Sequence, residues 1–419
     1  MTAPPPSNAS ARKTPLTRYQ MVLFFFLSVA TFFEGYDFFV IAQVLPRIRE
    51  EFGLSPWGGG ALVAFINVGA VAAYFLVRKA DQWGRRRVLT ITILGYTVFT
   101  VLSGVAPNVW VFAGCQMIGR LFLIGEWAVA QVYAAEEFPA DRRGTVIGVI
   151  QASGVMGAIV CAAIVPALLR SDLGWRGVYF IGAIPLLTVA FLRRRLRETE
   201  RFQKVADKGV APLPLLRIFR TPYRRRMLQM ALIWALTYAC TQNGQLFWKE
   251  FVVGERGWSD GEVGWAMSLA AMVSLPLVFA SGKLLDVAGR RTGGTIIFLV
   301  TIIGVAGAYS LHHKVALTIF LVLGIFGSSA VLPVLNAFTT ELFPTDLRSD
   351  AFAWANNLLG RLAGIVSPFL LGLSANHVGW GPSLTASTVF PLAALVLILA
   401  RLPETSRREL EETCLVPGK

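Results

Sequence analysis

What this sequence lacks is charge. Only 15% of its 419 residues are Asp, Glu, Lys or Arg, while 55% are hydrophobic and the mean hydropathy is +0.58; soluble domains carry roughly 25% charged residues. The deficit excludes an ordinary soluble domain and predicts a polytopic membrane protein. Histidine is nearly absent: His312, His313 and His377 fall between apolar runs and read as solvated loop residues. The four cysteines, Cys115, Cys161, Cys240 and Cys414, are scattered, which excludes a disulfide framework and a cysteine metal site. No glycine-rich phosphate loop occurs, so ATP is not expected to supply energy. No cofactor or metal is expected, and no nucleophile-base set within the apolar runs points to an enzyme. A cleavable signal peptide is not visible: the start, with Pro4-Pro5-Pro6, reads as a disordered tail, and the first apolar run is too long for a signal.

The charge that is present is basic, with a formal net of +14. Its placement argues against nucleic acid, because Lys and Arg cluster in short loops on alternate sides of apolar runs. Twelve such runs are expected, at roughly 19–45, 59–79, 88–106, 109–135, 144–169, 176–193, 226–253, 261–285, 293–311, 315–342, 349–375 and 381–402. With the N-terminus inside, 30 of the 39 Lys and Arg lie inside, seven outside and two within runs. That asymmetry predicts both termini in the cytoplasm and the chain in a cell (inner) membrane. The expected organisation is a disordered tail over 1–18, a six-helix bundle over 19–193, a basic linker over 194–225, a second bundle over 226–402 and a tail over 403–419. The linker, with Arg193-Arg194-Arg195 and Arg224-Arg225-Arg226, reads as a segment attracted to anionic lipid headgroups.

The two bundles repeat one another. Asp81-Gln82-Trp83-Gly84-Arg85-Arg86 and Asp286-Val287-Ala288-Gly289-Arg290-Arg291 share the pattern Asp-x-x-Gly-Arg-Arg, displaced by 205 residues. The same displacement carries Pro139, Asp141 and Arg143 onto Pro344, Asp346 and Arg348, and Trp175 onto Trp380. Such fidelity over separate loops indicates duplication. Two related six-helix halves imply alternating access around a site near mid-membrane.

Twelve runs, paired Asp-x-x-Gly-Arg-Arg loops, the Pro139 and Pro344 loops and Leu402-Pro403-Glu404-Thr405 after the last run together resemble the major facilitator superfamily. The resemblance implies an all-α membrane fold of twelve transmembrane helices in two pseudo-symmetric halves, working as a monomer on a small organic molecule. It also implies that Asp81, Arg85, Asp286, Arg290, Glu137, Arg143, Glu341 and Arg348 act as gating residues on the cytoplasmic side. The first loop departs from the pattern, with Val77 for the leading glycine and Gln82 for a basic residue, which predicts a weaker latch there.

Charges inside the runs do not repeat. Glu34 falls on Ala239, Asp37 on Gln242, Arg120 on Ile325, Glu126 on Val331, and Arg361 answers to Met156. Charges at that depth are costly and face a bundle interior or an aqueous cavity. Glu34 and Asp37, three apart, lie about 60° from one another on a helix. Glu34-Gly35-Tyr36-Asp37 resembles the Asp-Gly-x-Asp of aromatic-acid/proton symporters, and Gly119-Arg120 to Gly125-Glu126-Trp127 resembles a motif linked to proton coupling. Glu34, Asp37, Arg120 and Glu126 are therefore the expected proton-coupling set. Arg361 is similar in position to a substrate-facing arginine of organic-anion transporters, and its planar fork suits a carboxylate. Asn357 shares its helical face, while Tyr36, Tyr238, Gln242, Gln245 and Asn336 are further candidates for the substrate. The expected function is proton-coupled symport of a small organic anion, a carboxylate or aromatic acid. The alternatives are an organic-cation or drug exporter using the carboxylates as counter-charges, and a non-transporting receptor on the same fold.

Overall fold

The computed structural model describes residues 15–192, 197–198 and 216–405, except for the side chains of a few helical residues, among them Asp81, Arg143 and Asp286. The expected tails and most of the 194–225 linker lie outside the described residues. Within them the chain is helical throughout: α1 Arg18–Glu51, α2 Pro56–Trp83, α3 Arg85–Gly104, α4 Val109–Glu137, α5 Ala140–Leu168 and α6 Gly174–Leu192 form the first half. The second comprises α7 Arg224–Leu246, α8 Trp248–Gly254, α9 Asp260–Ala288, α10 Arg290–Ser310, α11 Lys314–Glu341, α12 Thr345–Phe352, α13 Arg361–Val378, α14 Trp380–Ser387 and α15 Val389–Arg401. Taking α7–α8, α12–α13 and α14–α15 as interrupted spans gives twelve columns, ten of which are long and apolar enough to cross a membrane. The sixth and seventh complete the set; the seventh is less apolar because of its Thr241-Gln242-Asn243-Gly244-Gln245 stretch. Helices satisfy every backbone group within the segment, which hydrocarbon demands.

Helix starts are encoded locally. Thr17 with Gln20 forms a capping box on α1 and Ser259 with Glu262 another on α9, and Asn108 accepts from two backbone N–H groups at the start of α4. The repeated Asp-x-x-Gly-Arg-Arg loops obey the same logic with a different donor set. Gly84 and Gly289 precede α3 and α10 at φ +91° and +89°, a conformation that disfavours any side chain. The helix N-termini they expose each receive a carboxylate. Glu198 accepts from Arg85 N at 3.0 Å and Arg86 N at 3.2 Å, and Glu404 from Arg290 N at 2.8 Å and Arg291 N at 2.9 Å. Exposed N–H groups and the helix dipole both favour an anion there.

Close helix approach rests on glycine. A Cβ on Gly35 would sit 1.9 Å from the Gly154 carbonyl oxygen, and one on Gly157 1.8 Å from that of Phe32, so α1 and α5 touch backbone to backbone. Between halves, Gly60 of α2 and Gly372 of α13 leave room of the same kind. Small residues at such crossings are the ordinary solution where lipid removes the hydrophobic drive between helices.

The halves are bound together at the end carrying the 51–56 and 254–260 connections. Arg47 pairs with Asp260 at 3.0 Å, Arg49 with the buried Glu250, and Lys249, 1% exposed, with Asp260 at 2.7 Å. Gln43 Nε2 reaches Met267 Sδ at 2.8 Å just below. At the terminus-bearing end the principal ion pairs run within one half: Arg85 with Glu136 at 3.3 Å and Arg290 with Glu341 at 3.2 Å. The molecule is therefore closed at the end away from its termini.

Candidate functional site

At mid-depth between the halves lies a cavity of about 190 Å³. From the first half it is lined by Phe38, Phe39 and Ala42 of α1, Val63 and Asn67 of α2, and Arg120 of α4. The second half supplies Tyr238, Thr241, Gln242 and Gln245 of α7, Ser328 and Leu332 of α11, and Gly364 of α13. Among the described residues Arg120 is the one charged side chain in this lining, and its guanidinium carbon stands 4.8 Å from the Phe38 ring centre. Aromatic faces, amides and one cation in a confined space are the composition expected for a small, flat, anionic ligand.

The cavity walls are held by bonds that cross between helices. Asn67 Nδ2 donates to Gly364 O at 2.6 Å, tying α2 to α13 across the halves. Tyr238 donates to Asn356 Oδ1 at 2.8 Å, and Asn243 to Ser367 Oγ at 2.6 Å. Asn243 is thereby tied to α13 while it lines the cavity beside Gln242 and Gln245.

Residues 353–360, between α12 and α13, form a π-helical stretch. Its wider turn places residues five apart in register, so the residue one turn before Arg361 is Asn356, buried and bonded to Tyr238, rather than Asn357, which was expected on the Arg361 face. The sequence spacing assumed an uninterrupted α-helix. Gly360 permits the distortion, since a Cβ there would meet the Ala355 carbonyl oxygen at 2.6 Å and Trp234 Cβ at 2.9 Å. Arg361 stands beside the cavity, within electrostatic reach of Arg120 and Tyr238, with its Nε buried and without a hydrogen-bond partner.

The acidic residues take different places. Asp37 lies inside the first half, where Arg120, Tyr96, Thr100 and Tyr179 face it. Glu34, 5% exposed, is on the same helix and near Tyr96. Glu126, 1% exposed, accepts from Thr92 between α3 and α4, away from the cavity. Tyr36 also leaves the expected substrate surface: it is 2% exposed and donates to Val178 O at 3.2 Å within the core against α6. Asn336 is exposed and does not line the cavity. Trp234 and Trp248 turn to Thr339 and to the Ala308 carbonyl, as packing residues do.

At the terminus-bearing end Arg85 pairs with Glu136, the neighbour of the expected gating residue Glu137, whose backbone carbonyl accepts from Gln20 at 2.8 Å. Glu136 is the residue that the 205 displacement carries to Glu341, so the signal was present in the repeat. Arg348 donates to Phe343 O at 3.5 Å and Thr405 donates to Glu341. The side chains of Asp81, Arg143 and Asp286 lie outside the described residues. Glu198 was missed; Glu198-Thr199 matches Glu404-Thr405 at a displacement of 206, one residue out of phase.

The profile of the Major Facilitator Superfamily matches residues 27–368 and 245–413. A probable 4-methylmuconolactone transporter of Cupriavidus pinatubonensis is 26% identical over 381 residues, covering 89% of this chain and 88% of that one. A cis,cis-muconate transport protein of Acinetobacter baylyi is 28% identical, covering 86% and 89%. Among solved structures, a bacterial homologue of the human lysosomal transporter Spinster, inward-facing and unoccupied, superposes with a TM-score of 0.76 at 17% identity, over 92% of this chain and 97% of that one.

Proposed function

Since the chain belongs to the Major Facilitator Superfamily and is a multi-pass membrane transporter, we propose that it carries a small organic anion, a carboxylate or aromatic acid, by proton-coupled symport. The observation that carries this reading is the cavity between the halves, where Arg120 is the one charge among the described lining residues, set among aromatic rings and amides, and Arg361 stands beside it. Two guanidinium groups suit carboxylates, which they bind through paired, charge-assisted hydrogen bonds. Relatives named for muconate and 4-methylmuconolactone, small unsaturated acids or their lactones, agree with it. An organic-cation carrier would need a carboxylate in the cavity wall; Glu34, Asp37 and Glu126 are not among its lining residues.

Asp37 is the coupling carboxylate in this reading. Arg120, within electrostatic reach of Asp37, lines the cavity, so a bound anion and the Asp37 carboxylate compete for one cation. Protonation of Asp37 frees Arg120 for substrate; release of substrate returns Arg120 to Asp37 and expels the proton. In this reading both termini lie in the cytoplasm and the chain in the inner membrane, so the Arg47–Asp260 end would face outward and the closed end would be the outer one. The 1–18 and 403–419 tails and the linker would all lie on the inner side.

Reconstitution into liposomes tests the reading. Under an inward proton gradient, labelled muconate, gentisate and benzoate are offered beside an organic cation. Accumulation of an anion that collapses in Asp37→Asn is expected; flux indifferent to the gradient, or movement of the cation alone, overturns it.

A further inference from the structure

Helix α3 stands at the periphery of the first half and does not line the cavity, yet one of its faces is polar. Thr92, Tyr96 and Thr100 are spaced four apart and buried, at 0%, 1% and 2% exposure. They share a face, and each meets an acidic side chain. Thr92 donates to Glu126, Tyr96 faces Asp37 and Glu34, and Thr100 faces Asp37. In the repeat, those three positions are Ile297, Thr301 and Val305. The stripe thus follows the acids: it is present in the half that has them and largely replaced by apolar residues in the half that does not. A stripe needed only to pack α3 against its neighbours would have no reason to track them.

We propose that Tyr96, seconded by Thr100, is a positioning residue for Asp37: its hydroxyl holds the carboxylate in place and sets when that carboxylate takes up a proton. The inference rests on the reading of Asp37 as the coupling carboxylate. The groups around Asp37 on every packed element support the assignment. On its own helix are Glu34 and Tyr36, from α4 comes Arg120, from α5 Cys161, and from α6 Tyr179. Among the neutral groups, Tyr96 and Thr100 of α3 are the ones whose hydroxyls can turn to the carboxylate, whose Oδ1 is buried and without a hydrogen-bond partner. Tyr36 is already committed to the Val178 carbonyl. In this structure the Tyr96 hydroxyl donates to the Phe33 carbonyl oxygen at 3.5 Å, one turn before Asp37, so it can alternate between that backbone acceptor and the unpartnered carboxylate oxygen. The hydroxyl is thus offered an acceptor in either protonation state of Asp37. Donated to the carboxylate it favours the charged form; turned to Phe33 it leaves the neutral acid in place.

The test reads Asp37 directly and needs no knowledge of the substrate. The carbonyl stretch of a protonated carboxyl is followed by infrared difference spectroscopy across a pH titration of the reconstituted protein, and the Asp37 band is identified as the one missing from Asp37→Asn. In Tyr96→Phe, loss of the donor favours the neutral carboxyl, so the midpoint of this band moves to higher pH by about half a unit or more and its frequency shifts. Thr100→Val moves it less, and Thr301→Ala, the corresponding position of the other half, leaves it in place. Should Tyr96→Phe fail to fold, Thr100→Val carries the test through the same band. A midpoint and frequency unchanged in the folded variants overturns the proposal, as does a wild-type titration without an Asp37 band. Failure of proton-driven uptake with a shifted band would instead overturn the transport reading and leave the positioning role standing.

Discussion

At the scale of single residues, the buried arginines discriminate between substrates. Arg361 stands beside the cavity next to Arg120, and both present nitrogen atoms that no protein group accepts from. A carboxylate a few ångströms away gains on the order of several kcal/mol from one such charge at an effective dielectric constant near 20, against only about 1.4 kcal/mol for each tenfold in affinity. Arg361→Glu should therefore lower the initial rate of anion uptake more than tenfold, and Arg361→Lys by less, since a point charge replaces a planar fork. Unchanged uptake by Arg361→Glu would remove Arg361 from the site. Tyr238 acts more gently. Phenylalanine there deletes the 2.8 Å bond to Asn356, worth about 1 kcal/mol, so a KM three- to tenfold higher at near-normal expression is expected from substrate titration.

At the scale of elements, the glycines that begin α3 and α10 bear two loads, a positive φ and a carboxylate at the helix start. Alanine at Gly289 would sit at φ +89° with its Cβ 3.0 Å from Glu404 Oε2, and the left-handed backbone alone costs about 1–2 kcal/mol. Thermal unfolding in detergent should show Tm lowered by several degrees. Gly157→Ala makes a cleaner contrast, because its backbone is helical and only space is wanting. The Phe32 carbonyl oxygen at 1.8 Å forces α1 and α5 apart, so a fall in Tm is expected together with loss of uptake, α1 carrying Asp37. An unaltered Tm in Gly157→Ala would show that the two helices can separate without cost. The π-helical stretch at 353–360 belongs to this scale too, since it sets which face of the eleventh column meets Tyr238.

At the scale of the whole molecule, the closed end is a set of charges that must part for alternating access. Glu250, 4% exposed, is held by Arg49, while Asp260 receives both Arg47 and Lys249. Removing one partner of a buried pair costs about 3–5 kcal/mol, because it strands the other charge. That cost falls on the closed state alone. Glu250→Gln should thus shift the population toward opening at this end, by more than tenfold if about 1.4 kcal/mol of it is realised. Spin labels on the 51–56 and 254–260 connections, read by pulsed dipolar spectroscopy, would report longer distances in the variant; identical distributions would show that apolar contacts, not the ion pairs, keep this end shut.

Much of this was legible in the sequence. Twelve columns, two related halves and the five charged residues inside them follow from hydropathy, spacing and a 205-residue displacement, because a membrane allows few alternatives to the helix and duplication preserves loop chemistry. The amides of α7 and Gly364 were likewise visible as polar or small positions in apolar runs. What the tertiary structure alone decided is where each buried charge points. Periodicity gives a face but not its neighbour, so Tyr36 and Asn336 looked like cavity residues until packing turned Tyr36 to α6 and left Asn336 outside the wall, and only the structure set Glu126 against Thr92. A π stretch put Asn356 rather than Asn357 one turn before Arg361, since helical phase accumulates and one widened turn resets it. Lys249 and Glu250, written side by side near the end of the seventh run, gained their meaning only when α1 brought Arg47 and Arg49 against them and Asp260 from a distance of two hundred residues. Ion pairs between halves depend on how the halves dock, and no local pattern in the chain encodes that.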